Sequence, residues 1–326
     1  MPRQGRVVVV GGAVLDAKVR TRSTAVLGTS NPGTSSSSVG GVGRNIAENL
    51  ARLGTATDLV TAVGDDLPGR TVVSHTRDAG VECAHVRTSV HPTGTYTAVL
   101  DDRGDLLIAV ADMRATDELT VGDLTVVPSL LAGADALVVD ANLHADAVRW
   151  LLSAAAEAGV IAVLEPVSVA KATEVAKVLD GSVPLHTVTP NVDELAALVG
   201  HPVPDTVPGI SQAALVLHDR AVEHVWVRRG TSGSLLSIAA PERPRLVLVG
   251  ASSVEVADVT GAGDSMTAGY VHALLEGADV LESARYGQVL AALTCASPDT
   301  VRTDLTAALV AAHLMQTQPA TEEIAR

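Results

Sequence analysis

The chain has 326 residues, 47% of them hydrophobic and 18% charged, with a formal net charge of −14. So much aliphatic side chain can bury a large core, which excludes disorder over most of the length and suits either two domains or one large α/β domain. The acidic balance, with no Phe, two Trp and three Tyr, argues against a basic nucleic-acid footprint and against rows of base-stacking rings.

No apolar stretch approaches the ~20 residues of a bilayer span. The start runs directly into a strand-like VVVV without a leader-type apolar core. Cys83 and Cys295 are too few for a disulfide framework and fit a reduced cytoplasm. The expectation is a cytoplasmic protein with small-molecule partners, no nucleic acid and no membrane. Any anionic ligand must then be held by local devices rather than by the global field.

In chain order, Val7–Val10 is a β-branched run closed by Gly11-Gly12, a buried strand ending at a turn. Residues 20–39 are Ser/Thr-rich and punctuated by Gly and Pro, which suggests loop or weak exposed strand. After Gly40-Gly41, Ile46, Leu50 and Leu53 recur at helical spacing, and Gly54 stands where a C-terminal cap belongs. Aliphatic runs at Leu59–Val63, Ala136–Val139, Val160–Leu164 and Val225–Val227 alternate with helical stretches such as Ala145–Ala158, Asn191–Val199 and Ser265–Leu275. That alternation predicts parallel βαβ units with helices on both faces of a sheet. Thr95–Leu100 and Asp105–Ala111, joined through Gly104, break the rhythm as a hairpin. Residues 17–38 and 94–113 are therefore the candidate small β lid, and 1–16, 39–93 and 114–315 the core. Residues 316–326 read as a frayed tail.

The strongest chemical signal is Asp258-Val259-Thr260-Gly261-Ala262-Gly263-Asp264, leading into an apolar helix. A glycine-rich turn entering a helix presents backbone N–H groups at the positive end of the dipole, where they hold phosphate oxygens without side-chain charge. Asp264 in the first turn could take a proton from an attacking hydroxyl; a plain capped helix with an acidic first turn is the alternative. Gly40-Gly41-Val42-Gly43-Arg44-Asn45 opens a second helix. There glycine would let a polyhydroxyl ligand lie against the backbone while Asn45 donates and accepts. Neither segment completes the dinucleotide fingerprint, and no P-loop occurs.

Asp16 is of the type that accepts from two adjacent sugar hydroxyls, or else is a solvated loop acid. Asn191 could contact nucleotide phosphates and Glu194 could reach Mg²⁺ through water, or the two could simply cap a helix. Arg228 and Arg229, ahead of Gly230 and Gly233, could meet a triphosphate or form a surface charge pair. His75, His85, His91 and His144 are scattered without metal-ligand spacing, and both cysteines read as packing residues.

Taken in order, these motifs resemble the ribokinase-like (phosphofructokinase B) carbohydrate kinase family over residues 6–310, most specifically in GGVGRNIAENLARLG and DVTGAGDSMTAG. Within it the chain is most similar to the pseudouridine-phosphorylating branch, through Arg44-Asn45, the hairpin end Leu107–Met113 and Asp140-Ala141-Asn142. Glu165, where that branch often has Asp, and the basic VRRG segment depart from it. The resemblance implies a three-layer αβα sandwich with a mostly parallel central sheet and a small β lid. It implies an ATP- and Mg²⁺-dependent kinase that phosphorylates the 5′-hydroxyl of pseudouridine.

The resemblance also implies roles. Asp264 would be the general base, with Gly261, Ala262 and Gly263 as the anion hole. Asp16, Gly41 and Asn45 would hold the ribose, and Arg44, Asp112 and Asn142 are the candidates for base selection. Asn191, Arg228, Gly230, Gly233 and Gln288 would serve the nucleotide, and Glu194 the Mg²⁺ through water. Asp258, Thr260 and Ser297 would border a monovalent cation such as K⁺, and the lid would serve as a homodimer contact. A kinase for another ribonucleoside or a free sugar, and a non-catalytic nucleoside-binding regulator, are the alternatives.

Overall fold

The computed structural model describes residues 5–317 and 319–324. Among them the strands are β1 (Arg6–Val10), β2 (Val14–Thr21), β3 (Gly33–Gly40), β4 (Ala56–Gly64), β5 (Val86–Ser89), β6 (Gly94–Leu100), β7 (Leu106–Asp112), β8 (Ala136–Asp140), β9 (Ile161–Glu165), β10 (Leu185–Val188), β11 (Val222–Arg228), β12 (Ser234–Ile238), β13 (Arg245–Val249) and β14 (Thr321–Glu323). One sheet runs β14-β13-β12-β11-β10-β9-β8-β1-β4-β5, and a smaller one β3-β2-β6-β7.

From β11 to β5 every neighbouring pair is parallel. This stretch carries the predicted βαβ series. Val8 and Val10 pack into one hydrophobic cluster and Val7 and Val9 into another, so β1 is buried on both faces. A strand in that position reads as an unbroken apolar run rather than an alternating one. Helices Val42–Arg52, Ala262–Leu275 and Val280–Cys295 supply Leu50, Tyr270 and Ala291 to one cluster. Helices Ala145–Ala158, Val192–Val199 and Val207–His218 supply Leu151, Leu195 and Ile210 to the other. The result is the expected three-layer αβα sandwich. No helix among the described residues is long and apolar enough to cross a membrane.

The small sheet departs from expectation in detail. Residues 20–39 are not mainly loop: β3 pairs antiparallel with β2 along its full length and leaves Ser35–Ser38 exposed. Gly33–Ser38 are exposed on both faces, so the backbone ladder to β2 holds this polar strand, with only Val39 and Gly40 turned inward. The sheet also begins at Val14, so Asp16 lies on β2, between Ser38 of β3 and Tyr96 of β6, rather than in the core. The β2–β6 pair is parallel, and the β6–β7 hairpin is antiparallel as predicted.

The other end of the large sheet was not anticipated. β12, β13 and β14 add antiparallel strands beside β11. Thr321–Glu323 lies within the segment read as a frayed tail, and it covers the open edge of β13. Arg245 pairs with Glu323 at 2.9 Å, and the Ile324 N–H donates to the Leu246 carbonyl at 2.9 Å. The rest of that reading falls partly on residues 318, 325 and 326, which lie outside the described residues.

The residues singled out for chemistry cluster at the carboxyl ends of the parallel strands. Gly11 follows β1, Asp140 ends β8, Glu165 ends β9, Thr189 follows β10 and Arg228 ends β11. Open α/β sheets bind ligands outside these carboxyl ends. Deleting residues 319–326 exposes the β13 edge; the expected cost is about 1–2 kcal/mol, or a melting temperature lower by about 2–4 °C in a thermal scan.

Candidate active site

The Asp140 carboxylate is fully buried and gathers three loops. The N–H groups of Gly12 and Gly43 donate to its Oδ2 at 2.8 and 2.7 Å, and that of Asn142 donates to Oδ1 at 2.9 Å. Asn142 Nδ2 adds a fourth bond at 3.2 Å. Burial raises the pKa of this carboxyl, and the four donors oppose the rise. Gly41, beside this hub, has φ 96°, and a Cβ there would lie 2.5 Å from the Gly12 carbonyl oxygen, so only glycine fits the close approach.

Helix Val42–Arg52 starts from that loop and presents Asn45 to Asp264, Nδ2 donating to Oδ2 at 2.8 Å. The two glycine-rich turns, separated by more than two hundred residues in sequence, therefore meet at one hydrogen bond. Asp264 lines a cavity of about 700 Å³. Desolvation pushes its pKa up to about 7; the Asn45 bond opposes this, Glu165 adds to it and Arg228 opposes it.

Asp16 lies with its carboxylate against Gly40, where a Cβ would come within 2.0 Å of Oδ2. Burial raises its pKa to about 6 against the pull of Lys18 and Arg44. Arg44 corrects an expectation. Its side chain is 1% exposed and turned into the protein, paired with Glu48 and bonded to Thr76 Oγ1. It also donates to Asn45 Oδ1 at 2.9 Å, so it orients Asn45 and does not present itself to a ligand. Asp112, at the end of β7, is held by Arg114 at 2.6 Å, which lowers its pKa to about 2.

The cavity runs along the ends of β9–β11 and the start of helix Ala262–Leu275. Its polar side carries Asn191, Glu194, Arg228, Gly230, Gly233, Gln288 and Gly263 beside Asp264, and its apolar side Val254, Val256, Val259, Ala291, Ala292 and Cys295. Helix Ala262–Leu275 begins at Gly261 in the left-handed region with no side-chain cap. The first N–H groups of a helix have no partner within it, and Ala262, Gly263 and Asp264 all line the cavity.

Arg228 is nearly buried between Glu165 (2.7 and 3.1 Å) and Glu194 (3.1 Å). Burial disfavours its charge, but the two carboxylates outweigh that and hold its pKa above the usual value. Glu165 also accepts from Thr189 at 2.7 Å and Thr267 at 2.9 Å. A Cβ on Gly263 would sit 2.4 Å from the Arg228 guanidinium, which therefore lies against the start of the helix. Arg229 does not join it, because its side chain pairs with Asp205 at 2.6 Å. The adjacent arginines diverge, contrary to the expectation that both meet one ligand.

Asn191 and Glu194 form a capping box, each side chain bonded to the other's N–H at 2.8 Å. Glu194 Oε2 is thereby engaged by both Asn191 and Arg228, and burial raises its pKa against Arg228. Gln288 accepts from Ser234, whose hydroxyl accepts in turn from the Trp226 indole, both at 3.0 Å.

Lys18 is a residue that the sequence reading passed over. From β2 its ammonium reaches Asp258 Oδ2 at 2.7 Å and Thr260 Oγ1 at 3.5 Å. Asp258 Oδ1 accepts from the Thr260 N–H and hydroxyl at 2.8 and 2.7 Å, while Ser297 Oγ accepts from the Asp299 N–H. Burial pushes the Asp258 pKa up, but Lys18 and Thr260 bring it down to about 2. The available signal was the i, i+2 spacing from Asp16, which puts both side chains on one face of a strand.

Residues 4–307 match the pfkB family carbohydrate kinases, and the chain belongs to that family. It is 30% identical to the pseudouridine kinase of Escherichia coli (strain K12), over 95% of this chain and 96% of that protein. A carbohydrate kinase from Agrobacterium tumefaciens superposes with a TM-score of 0.83 at 31% identity, over 98% of this chain and 100% of that one. Arabidopsis thaliana ribokinase complexed with ribose and ATP superposes with a TM-score of 0.81 at 24% identity, over 96% and 99%. The fold is ribokinase-like, and the protein is a sugar or nucleoside kinase.

Truncating Arg228 leaves two buried carboxylates without their cation. Arg228→Ala is expected to cost about 3–5 kcal/mol at pH 8. Because Glu194, whose pKa burial already raises, can then take up a proton, the melting-temperature deficit against the parent chain shrinks at pH 5.5; a deficit independent of pH refutes the charge argument.

Proposed function

We propose that the protein transfers the γ-phosphoryl group of ATP to the 5′-hydroxyl of pseudouridine. The observation that carries the reading is the Asn45–Asp264 hydrogen bond, which joins a carboxyl with a raised pKa, an uncapped helix start and the polar surface around Asp16. The similarity to the Escherichia coli pseudouridine kinase along nearly the whole of both chains supports the choice of acceptor. The bound ribose and ATP named for the Arabidopsis ribokinase support a pentose beside a nucleotide on this fold.

The residues fit a nucleotide: an apolar wall at Val254, Val256 and Ala292 for the base, and glycines at 230, 233 and 263 for phosphates. Gln288 and Asn191 complete that side. Glu194, with Oε2 already engaged, fits a water-mediated rather than a direct contact with Mg²⁺. When bound, Mg²⁺ neutralises charge on the phosphates.

Asp16, Gly41 and Asn45 hold the ribose, and Asn142 and Asp112 face the base. Asp264 takes the hydroxyl proton on Oδ1, since Asn45 holds Oδ2. The Gly263 and Asp264 N–H groups, fixed before the reaction, stabilise charge on the equatorial oxygens of a loose transition state. Arg228 adds positive charge on the same side. Closure of the small sheet excludes water that would otherwise compete as acceptor. Its edge strand β7 exposes Leu106, Leu107, Ile108 and Val110, which supports pairing of two copies through the lid.

ADP release measured across pseudouridine, uridine, adenosine, ribose and fructose tests the assignment, with the highest kcat/KM expected for pseudouridine. Preference for ribose replaces this reading with a free-sugar kinase, and no turnover on any acceptor leaves a binding protein. Asp264 must be ionised to accept a proton, so kcat/KM falls below about pH 7, by about thirtyfold at pH 5.5. Asp264→Asn is expected to lose about 10²–10⁴-fold in kcat while still binding nucleoside.

Asp258 and Thr260 do not fit K⁺, because the Lys18 ammonium already engages both. We read Lys18 as a tethered cation in that position. Turnover is expected to be equal in K⁺ and in tetramethylammonium buffers; severalfold activation by K⁺ overturns this.

A further inference from the structure

We propose a second, metal-binding site for Zn²⁺ or a like borderline divalent ion, built from His186, Glu223 and His224. It lies at the opposite end of the sheet from the kinase cavity. His186 is near the start of β10, and Glu223 and His224 are near the start of β11, whereas the cavity collects the carboxyl ends of the same strands. The β10–β11 register pairs Leu185 with Val222 and Thr187 with His224, which sets His186 beside Glu223. Each of the three side chains offers one ligand atom, and these atoms lie within 4.8 Å of one another.

Three details prepare the group for a metal. His224 Nδ1 lies 3.0 Å from the His186 carbonyl oxygen, which can only accept, so the proton is on Nδ1 and Nε2 keeps its lone pair. That Nε2 is 3.9 Å from the Glu223 carboxylate. Histidine ligands are commonly oriented by a carbonyl in this way. His186 is likewise fixed, with Nδ1 2.8 Å from Thr187 Oγ1, whose oxygen is bonded in turn to the Tyr270 hydroxyl. The two rings stand 4.6 Å apart. Burial lowers both imidazole pKa values, in the direction that favours the neutral rings ligation uses.

Two imidazoles and one carboxylate suit Zn²⁺ or Co²⁺ rather than Mg²⁺, which prefers an all-oxygen shell. Glu223 is exposed, so water can complete a tetrahedral shell with three protein ligands. His186 and His224 are 38 positions apart in sequence, which hides the pair from a search for ligand spacing.

The test uses the full chain without a histidine tag and Co²⁺ as the probe. One equivalent is expected to bind with the intense visible absorption of tetrahedral Co²⁺ and to be displaced by Zn²⁺ but not by Mg²⁺. His186→Gln and Glu223→Gln are each expected to weaken binding at least about tenfold and to abolish the Zn²⁺-dependent rise in melting temperature. Sugar-kinase turnover with MgATP should stay at the parent rate in both variants, which shows that they fold. Co²⁺ uptake that is unchanged in both variants, or absent from the parent chain, overturns the site.

Discussion

A carboxylate removed from water must be matched by donors or lose its charge. Asp140 is matched almost entirely by the backbone of the loops it organises. Each bond has a second consequence beyond solvation. The Gly12 bond ends the run of β1, the Gly43 bond fixes the first turn of the helix that carries Asn45, and the Asn142 bonds turn the chain after β8. The same loops reach Asp264 through Asn45 and lie beside the small sheet through Gly40 and Asp16. These loops are therefore held in place by one buried carboxyl on the rigid end of a strand.

The cavity beside Asp264 is organised around a positive charge. Arg228 is fixed by Glu165 and Glu194 against the start of helix Ala262–Leu275. Glu165 is longer than the Asp expected there, and this length lets it reach Arg228 while Thr189 and Thr267 hold its other edge. A guanidinium with both partners fixed costs no reorganisation when a phosphate arrives, which is the condition for electrostatic preorganisation. Between these two networks stands Asp264, whose carboxyl is desolvated enough to hold a proton near neutrality. Such a pKa would suit the general-base role proposed for it.

What the sequence disclosed follows from how local each signal is. Val7–Val10 and Ala145–Ala158 were legible because burial on one or two faces writes a period into neighbouring residues. The Asn45–Asp264, Gly43–Asp140 and Lys18–Asp258 contacts were not, because their partners lie 219, 97 and 240 positions apart. β14 was missed because three residues carry no period, and their pairing depends on an edge of β13 that exists only once the sheet has formed. Arg228 and Arg229 look alike in sequence, yet neighbours at a strand end point to opposite sides, so one meets two buried acids and the other Asp205. That divergence was available from alternation alone.

The small sheet shows why the site needs both layers. β2 carries Asp16 and Lys18 on one face, two residues apart, with Asp16 against Gly40 and Lys18 on Asp258 ahead of the glycine turn. Partly exposed ion pairs contribute little to stability, so the Lys18–Asp258 contact matters mainly for register. It sets where β2 stands relative to the start of helix Ala262–Leu275. The small sheet is joined to the core through Gly11–Ala13 ahead of β2 and again where β3 runs into helix Val42–Arg52, and the Lys18–Asp258 contact adds a further attachment. In this arrangement the polar composition of residues 17–38, uninformative as a folding signal, becomes intelligible: β3 is exposed over Gly33–Ser38 and has no apolar face to bury.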